Sequence, residues 1–235
     1  MQRRYITVDV FTDRAFGGNP LAVVLDAEEL TTAQMQAIAT EFNYSETTFV
    51  LPPREAGHDA QVRIFTVRSE IPFAGHPNVG TAFVLAARAA TPPARLLFEE
   101  KAGLVPVAIL KEEGRVVGAE LTAPQPLKRQ SQVPVEQTAA CLSLSPADIR
   151  TDRHAPHVIS VGLAFLAVEL KSREALRRAR PDAAAFARQG VDMGRPSLLL
   201  TRVVKRDGAI VSAHVGGTCV PMMEGTFSLK GEGAD

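Results

Sequence analysis

The sequence lacks several features that would each point to a particular class of protein. No apolar run approaches the length that spans a membrane. No charge of one sign is in excess, because 26 Lys and Arg residues balance 26 Asp and Glu residues. No net field therefore favours nucleic acid or an anionic membrane. We expect a small-molecule partner, with no nucleic acid and no membrane involved.

Cysteine is scarce, and its placement excludes further classes. Cys141 and Cys219 lie far apart, without a Cys-x-x-Cys or Cys/His ligand spacing. This fits a reducing compartment and predicts packing roles for both thiols, without a zinc site. The basic residues 1–4 are followed by an alternating run that carries Asp9, which is not the apolar core of a signal peptide. We expect a cytoplasmic protein.

What is present is the composition of a globular chain of one large or two small domains, with 235 residues of which 46% are hydrophobic. Thr31 and Gln34 have the spacing of a capping box and predict a helix over 32–42. Period-two patterns predict strands on both sides of it. The predicted strands of the first half cover residues 6–11, 21–25, 45–51, 61–66, 95–100, 104–110 and 115–121. In the second half they cover 157–161, 165–170, 197–204 and 209–215, with Gly216, Gly217 and Gly225 marking the end.

The stretch 70–82 reads Glu-Ile-Pro-Phe-Ala-Gly-His-Pro-Asn-Val-Gly-Thr-Ala and joins a strand pattern to an apolar helix pattern. Because proline suits the first helical position, Pro77 predicts a helix over 77–90 with His76 as its N-cap. Unbonded amides at a helix start attract anions, and glycine lets a ligand approach the backbone. The candidate substrate-binding residues are therefore Gly75, Asn78, Val79 and Gly80. An ordinary capped helix without a ligand remains the alternative.

Two other clusters of polar residues are interpreted without a functional site. A charged helix is predicted from Ser172 to Phe186. Its arginines between 173 and 180 are interrupted by Glu174 and lack interleaved aromatic residues, which is typical of a solvated helix face. His154 and His157 have a spacing that metal sites use, but no carboxylate at ligand spacing accompanies them. We expect no metal site there.

Several stretches, taken together in order, resemble the PhzF-like family, which contains the phenazine-biosynthesis isomerases. They are Val-Asp-Val-Phe-Thr at 8–12, Phe-Gly-Gly-Asn-Pro-Leu-Ala-Val-Val at 16–24, Asn-Tyr-Ser-Glu-Thr at 43–47 and Pro-Phe-Ala-Gly-His-Pro-Asn-Val-Gly-Thr-Ala at 72–82. Near the end, residues 189–197 and 215–217 look like the closing strands of that family.

The resemblance implies an α+β fold similar to diaminopimelate epimerase, with two pseudo-symmetric halves. In each half a mostly antiparallel sheet curls around a central helix, and the active site lies in the cleft between them. The Pro-rich, polar segment 124–134 is the expected linker. We assign residues 1–123 to the first half and 124–235 to a second half that is shortened near 186–190. We also expect a homodimer.

The resemblance also implies a reaction, the transfer of a proton along the ring of a dihydro-hydroxyanthranilate without cofactor or metal. The family's acid/base glutamate corresponds to Glu46, and its cleft Gly-His pair corresponds to Gly75 and His76. A carboxylic acid that both gives and takes a proton suits such chemistry. Epimerases of this fold use a thiol pair instead, and neither Cys141 nor Cys219 has the matching surroundings. Diaminopimelate epimerase activity is therefore disfavoured.

The chain departs from the family pattern in one respect. It has no acidic Glu-Asp-Pro-x-Thr-Gly-Ser-Ala-type turn, which in similar proteins opens the central helix of the second half. That turn would face Glu46 across the cleft. The second half is therefore expected to be incomplete, and a non-catalytic protein that binds small carboxylates, or an interaction protein of the same family, is the alternative to an isomerase.

Overall fold

The structure is a computed structural model that describes residues 2–180, 200–206 and 209–229. Its strands are β1 (Gln2–Val10), β2 (Asn19–Val24), β3 (Glu46–Leu51), β4 (Ala60–Thr66), β5 (Glu70–Ile71), β6 (Arg95–Glu100), β7 (Gly103–Glu112), β8 (Arg115–Thr122), β9 (Lys128–Gln132), β10 (His157–Ser160), β11 (Ala164–Ala167), β12 (Leu200–Arg206) and β13 (Ala209–Ser228). Its α-helices are α1 (Thr32–Phe42), α2 (Gly75–Arg88), α3 (Val135–Cys141) and α4 (Arg173–Arg178).

The main sheet closes on itself. Its strand order is β1-β2-β3-β4-β6-β7-β8-β13-β12, and β1 also pairs with β13. The pairs β2–β3 and β4–β6 are parallel, whereas the other pairs along this sheet are antiparallel. The α+β class and the mostly antiparallel sheet predicted from the sequence are confirmed.

Helix α2 is the central element inside this closed sheet and packs on strands from all around it. The residues from His76 to Val84 are all buried, which removes apolar surface from water on every side of the helix. A Cβ atom on Gly80 would lie 2.6 Å from Leu21 Cδ2 and 2.8 Å from Val10 Cγ2. Gly80 therefore allows the helix to approach β1 and β2 closely.

Helix α1 packs on the outer side of the sheet over a second, smaller core that contains Met35, Phe49 and Phe65. The predicted capping box is confirmed, since the Thr31 hydroxyl accepts from the Gln34 amide and the Gln34 side chain accepts from the Thr31 amide. The helix bounds are those that the sequence predicted.

The last strand is longer than the sequence predicted. Glycines 216, 217 and 225 were expected to mark its end, but β13 continues through them to Ser228. The close approach of β8 and β13 explains Gly216, together with Gly118 on β8. A Cβ atom on Gly118 would lie 2.2 Å from the Gly217 carbonyl oxygen, and one on Gly216 would lie 2.8 Å from the Ala119 carbonyl oxygen. These glycines are needed where the two backbones nearly touch.

Residues 128–132, placed by the sequence within a linker, form β9 instead. This strand pairs with β10, and together with β11 they make a separate three-stranded sheet. Its side chains are exposed, so backbone pairing and not burial explains why a polar run becomes a strand. The closed sheet takes strands from both sides of the boundary at 123/124, and the two-domain division stays a prediction.

Helix α4 begins after its N-cap Ser172, as the sequence indicated, and its six residues end at Arg178. The rest of the predicted helix, to Phe186, and the predicted strand residues 189–199 lie outside the described residues. Within the described ranges, no helix is long and apolar enough to cross a membrane.

Candidate active site

Two neighbouring parallel strands begin at the same edge of the main sheet. In the β2–β3 pair Leu21 lies opposite Glu46, so Asn19 starts one strand and Glu46 starts the next. Helix α2 enters the closed sheet at this edge and places His76 in its first turn. Topology thus brings together residues from three separate sequence stretches, including two that the sequence predicted to be catalytic.

The two predicted catalytic side chains meet. His76 Nε2 lies 3.3 Å from Glu46 Oε2, and their side chains are 8% and 19% exposed. Both atoms are buried, and within the described residues neither makes a hydrogen bond of good geometry. A buried polar atom without such a bond is unfavourable unless another group completes it. The pair is therefore suited to receiving polar atoms of a bound ligand.

The ionisation of His76 follows from its surroundings. Burial lowers the pKa of its imidazole, and the Glu46 carboxylate opposes that effect in part. Since the ordinary pKa is 6.5, the ring is neutral at pH 7 and carries one N–H. A neutral imidazole can donate one hydrogen bond and accept another.

The other ring nitrogen contacts a residue that sequence reasoning missed. Asn19 Nδ2 lies 3.1 Å from His76 Nδ1, and Asn19 Oδ1 accepts a hydrogen bond of 3.0 Å from Ser45 Oγ. A series of side-chain hydrogen bonds thus links Ser45 to Asn19 and Asn19 to His76. Asn19 and Ser45 lie inside the stretches 16–24 and 43–47, so the signal was present in the sequence but assigned to turns and strands.

The predicted helix start was wrong. Helix α2 has Ala74 as its N-cap and begins at Gly75, so His76 is in the first turn and is not the cap. The first amides of an α-helix lack intrahelical partners, and here those belong to Gly75 and His76, because Pro77 has no N–H. The amides of Asn78, Val79 and Gly80 fall within the regular helical bonding, which corrects the expectation that they are free.

Gly75 has no packing reason to be glycine. A Cβ atom there would meet Val215 Cγ1 at 3.9 Å, an ordinary contact, and among the described atoms nothing lies closer. Gly80, by contrast, is explained by helix–sheet packing. Of the four predicted substrate-binding residues, Gly75 is thus the one whose small size and free amide both suit a ligand. Binding roles for Asn78, Val79 and Gly80 stay predictions.

Asn78 has an acidic neighbour, Glu100, whose carboxyl oxygens are buried. The Asn78 Nδ2 group donates to the Ala74 carbonyl across the first turn of α2, while its Oδ1 is buried without a described partner. Burial raises the pKa of Glu100 to about 8, and the nearby Asn78 amide opposes this only in part. Leu96 and Phe98 face the core at alternate positions of β6. The period-two pattern of a strand therefore predicts that the Glu100 side chain points inward as well.

The two cysteines and the pair His154 and His157 are not part of the Glu46–His76 site. Cys219 is buried, which raises the pKa of its thiol to about 12, so it is not a thiolate. His154 Nε2 lies 3.4 Å from Glu169 Oε2, and His157 Nδ1 contacts the Ala155 carbonyl oxygen at 2.7 Å. Within the part of the chain that the structure describes, no three His, Cys, Asp or Glu side chains could hold a metal ion together.

Comparison with solved structures establishes the fold class. A predicted epimerase from Pseudomonas aeruginosa has a TM-score of 0.80 at 26% identity, covering 97% of this chain and all of that one. A hydroxyproline epimerase from Agrobacterium vitis has a TM-score of 0.58 at 12% identity, covering 96% of this chain and 92% of that one, a likeness of fold alone. The protein has a diaminopimelate epimerase-like α+β fold.

Comparison with sequences then shows the family. The family described as "Phenazine biosynthesis-like protein" matches residues 8–189, and the chain belongs to it. The trans-2,3-dihydro-3-hydroxyanthranilate isomerase of Pseudomonas aeruginosa is 41% identical over 165 residues, which cover 70% of this chain and 58% of that protein. An uncharacterised isomerase of Mesorhizobium japonicum is 32% identical over 299 residues, with 97% and 99% covered. The chain is therefore a PhzF-like family member, and its relatives include named isomerases.

The second of these alignments also bears on the length of the chain. It extends over more positions than the 235 residues present here, yet it covers nearly all of both proteins. An internal stretch of the relative therefore has no counterpart in this chain. This agrees with the absence of the acidic turn noted in the sequence.

Proposed function

We propose that the protein is an isomerase that moves a proton between carbons of a small carboxylated ring, of the dihydro-hydroxyanthranilate type, without cofactor or metal. The observation that carries this proposal is the approach of Glu46 Oε2 and His76 Nε2 to 3.3 Å, both buried and without a well-formed hydrogen bond. The names of the isomerases to which the chain is similar support the choice of substrate class.

Glu46 is the proton carrier in this proposal. Its carboxylate takes a proton from a ring carbon, the electrons of the broken C–H bond enter the conjugated system, and the carboxyl returns a proton to another ring carbon. One group performs both steps, so no net proton is gained or lost. Proton transfer by a positioned side chain accelerates a reaction by about 10²- to 10⁴-fold.

His76 and the start of α2 orient the substrate. The neutral imidazole donates from Nε2 to a polar substituent of the ring next to Glu46. The free amides of Gly75 and His76 bind the substrate carboxylate, which is also favoured by the positive end of the helix dipole. A hydrogen bond to a charged group contributes roughly 1.5–3 kcal/mol, enough to fix the ring relative to Glu46.

Solvent-deuterium incorporation tests this function. The chain is incubated in D₂O with trans-2,3-dihydro-3-hydroxyanthranilate, and product and recovered substrate are analysed by mass spectrometry and NMR. We expect isomerised product, with deuterium at the newly protonated carbon to the extent that the Glu46 proton exchanges with solvent before it is returned. If the compound binds but no isomerised product forms above the rate without protein, the isomerase proposal fails.

The alternative is a non-catalytic protein that binds small carboxylates. It is favoured by one observation, the internal stretch of the relative that has no counterpart here. Without an opposing wall, the start of α2 would bind a carboxylate but leave the ring open to water. Calorimetric binding of anthranilate together with a complete lack of isomerised product would support this alternative.

A further inference from the structure

The hydrogen-bonded series Ser45–Asn19–His76 suggests that Asn19 controls which nitrogen of the His76 ring carries the proton. Asn19 starts β2 and is fixed at the same edge as Ser45 and Glu46 by the parallel strand pair. Its amide spans the gap between the Ser45 hydroxyl and the His76 ring, with contacts of 3.0 Å and 3.1 Å.

The orientation of the Asn19 amide follows from proton counting on the ring. Ser45 alone does not decide it, because a hydroxyl can either donate or accept. The deciding group is Glu46, whose carboxylate oxygen lies 3.3 Å from Nε2 and attracts an N–H there, although the two atoms do not form a hydrogen bond of good geometry. If the single N–H of the neutral ring is on Nε2, then Nδ1 is an acceptor and needs a donor. Asn19 satisfies it by presenting Nδ2, and its Oδ1 then accepts from Ser45.

We propose that Asn19, held by Ser45, is a positioning residue that keeps His76 neutral and protonated at Nε2. In this state Nε2–H points to Glu46 and to the substrate. Protonation of Nδ1 would place an N–H of the His76 ring against the N–H of the Asn19 side-chain amide. Two donors cannot bond each other, so this contact disfavours the doubly protonated imidazolium. The inference rests on the proposed role of His76, and it gives that role its chemical basis: a donor that stays neutral beside a carboxylate.

Substitution of Asn19 by aspartate replaces the hydrogen-bond donor that faces Nδ1 with an acceptor, and the side chain keeps nearly the same size. A carboxylate at this place accepts from Nδ1–H and favours the imidazolium. We expect Asn19→Asp to raise the pKa of His76 by at least about one unit, consistent with an opposite charge at hydrogen-bond distance. Asn19→Ala removes the donor, and we expect a mixture of both neutral tautomers.

Nitrogen NMR of the ring is the experiment. The whole chain is labelled with ¹⁵N-histidine, and the His76 signals are assigned by their loss in His76→Gln, which distinguishes them from the other four histidines. The ¹⁵N shifts of Nδ1 and Nε2 report directly which nitrogen carries the proton, and a pH series gives the pKa. Asn43→Asp is the matched control, since it adds the same charge three residues before Glu46 on the cap of α1.

The outcomes separate this inference from the proposed function. Protonation at Nε2 in the unchanged chain, with a raised pKa in Asn19→Asp but not in Asn43→Asp, supports it even if no isomerase activity is found. A ring protonated at Nδ1 overturns it, as does equal behaviour of the two aspartate variants. If Asn19→Asp does not fold by circular dichroism, Asn19→Ala decides, and an unchanged Nε2–H tautomer there contradicts the proposal.

Discussion

The Nε2 atom of His76 and the Oε2 atom of Glu46 lie 3.3 Å apart although they belong to a helix and a strand that are separated by two other strands, β4 and β5, in the sequence. The contact exists because α2 is enclosed by the sheet and its first turn emerges at the edge where β3 begins. A proton carrier and a neutral donor are thereby placed side by side in a largely buried position.

Glu46→Gln is expected to abolish deuterium exchange and to leave ligand binding nearly unchanged. The amide has the size of the carboxyl group but cannot exchange a proton in its place, so we expect a loss of at least about 10²-fold. Exchange is measured by NMR and binding by calorimetry with anthranilate. Glu41→Gln on the exposed side of α1 is the control and should behave like the unchanged chain. Exchange at the original rate in Glu46→Gln would exclude Glu46 as the acid/base.

Gly75→Ala is expected to weaken carboxylate binding without loss of stability. The added methyl fits beside Val215 in the free protein but hinders an anion that approaches the free amides. Loss of one hydrogen bond to a charged group predicts roughly tenfold weaker binding. Calorimetry with anthranilate measures the affinity, and thermal unfolding measures the stability. Equal affinity in the folded variant would remove the anion site from this helix start.

Gly80→Ala, the same substitution one turn further along α2, is expected to have the opposite effect. Its methyl would clash with Leu21 and Val10 in the closed core. Overpacking of this kind lowers the free energy of unfolding by typically 1–3 kcal/mol. Chemical denaturation of the two glycine variants side by side tests this contrast, and a fully stable Gly80→Ala protein would contradict the packing role.

The stability of the protein is expected to fall between about pH 4.5 and pH 8 because of Glu100. Its pKa is about 8 in the folded chain against 4.5 for the ordinary side chain, so the folded state holds a proton that the unfolded state releases. The contribution is complete below pH 4.5 and is lost as the pH rises through 8. Its size is on the order of a few kcal/mol, since each pKa unit corresponds to about 1.4 kcal/mol.

Glu100→Gln tests the Glu100 prediction. A glutamine remains neutral at every pH, and its side-chain oxygen can still accept from the Asn78 amide that opposes the raised pKa of Glu100. Urea denaturation at several pH values should show a flatter profile for this variant. Glu99→Gln is a poor control because Glu99 bonds the 54–55 backbone and His58, whereas the exposed Glu41→Gln is suitable. A Glu100→Gln profile with the original slope would rule out the neutral carboxyl.

If the second half is incomplete, as the sequence predicts, it is expected to leave apolar surface exposed. On β12, which lies at the end of the main sheet, Leu200 and Val203 are about half exposed. Exposed apolar edges favour self-association, in keeping with the predicted homodimer. Dye binding, thermal unfolding, light scattering and deuterium exchange are compared with a version that carries the missing segment of the Mesorhizobium relative inserted before Arg188. Equal activity and equally low dye binding in both would refute an incomplete half.

Local patterns in the sequence were enough to predict most of the fold. The capping box at Thr31 determined α1, because its partners are three residues apart and need no tertiary contact. Alternation determined most of the strands of the first half. The ordered motifs identified the family, and with it Glu46 and His76 as candidates.

The tertiary structure decided the features that depend on distant partners. The chain closes its sheet by pairing β1 with β13, which no local pattern predicts and which carries the last strand through three glycines. Helix α2 starts at Gly75, so Pro77 is its third residue and not its first. The preference of proline for the first position is weak and does not override the packing of the entire helix. The contact between Asn19 and His76 likewise arises because parallel strands place their first residues at one edge, where a helix from elsewhere in the chain begins.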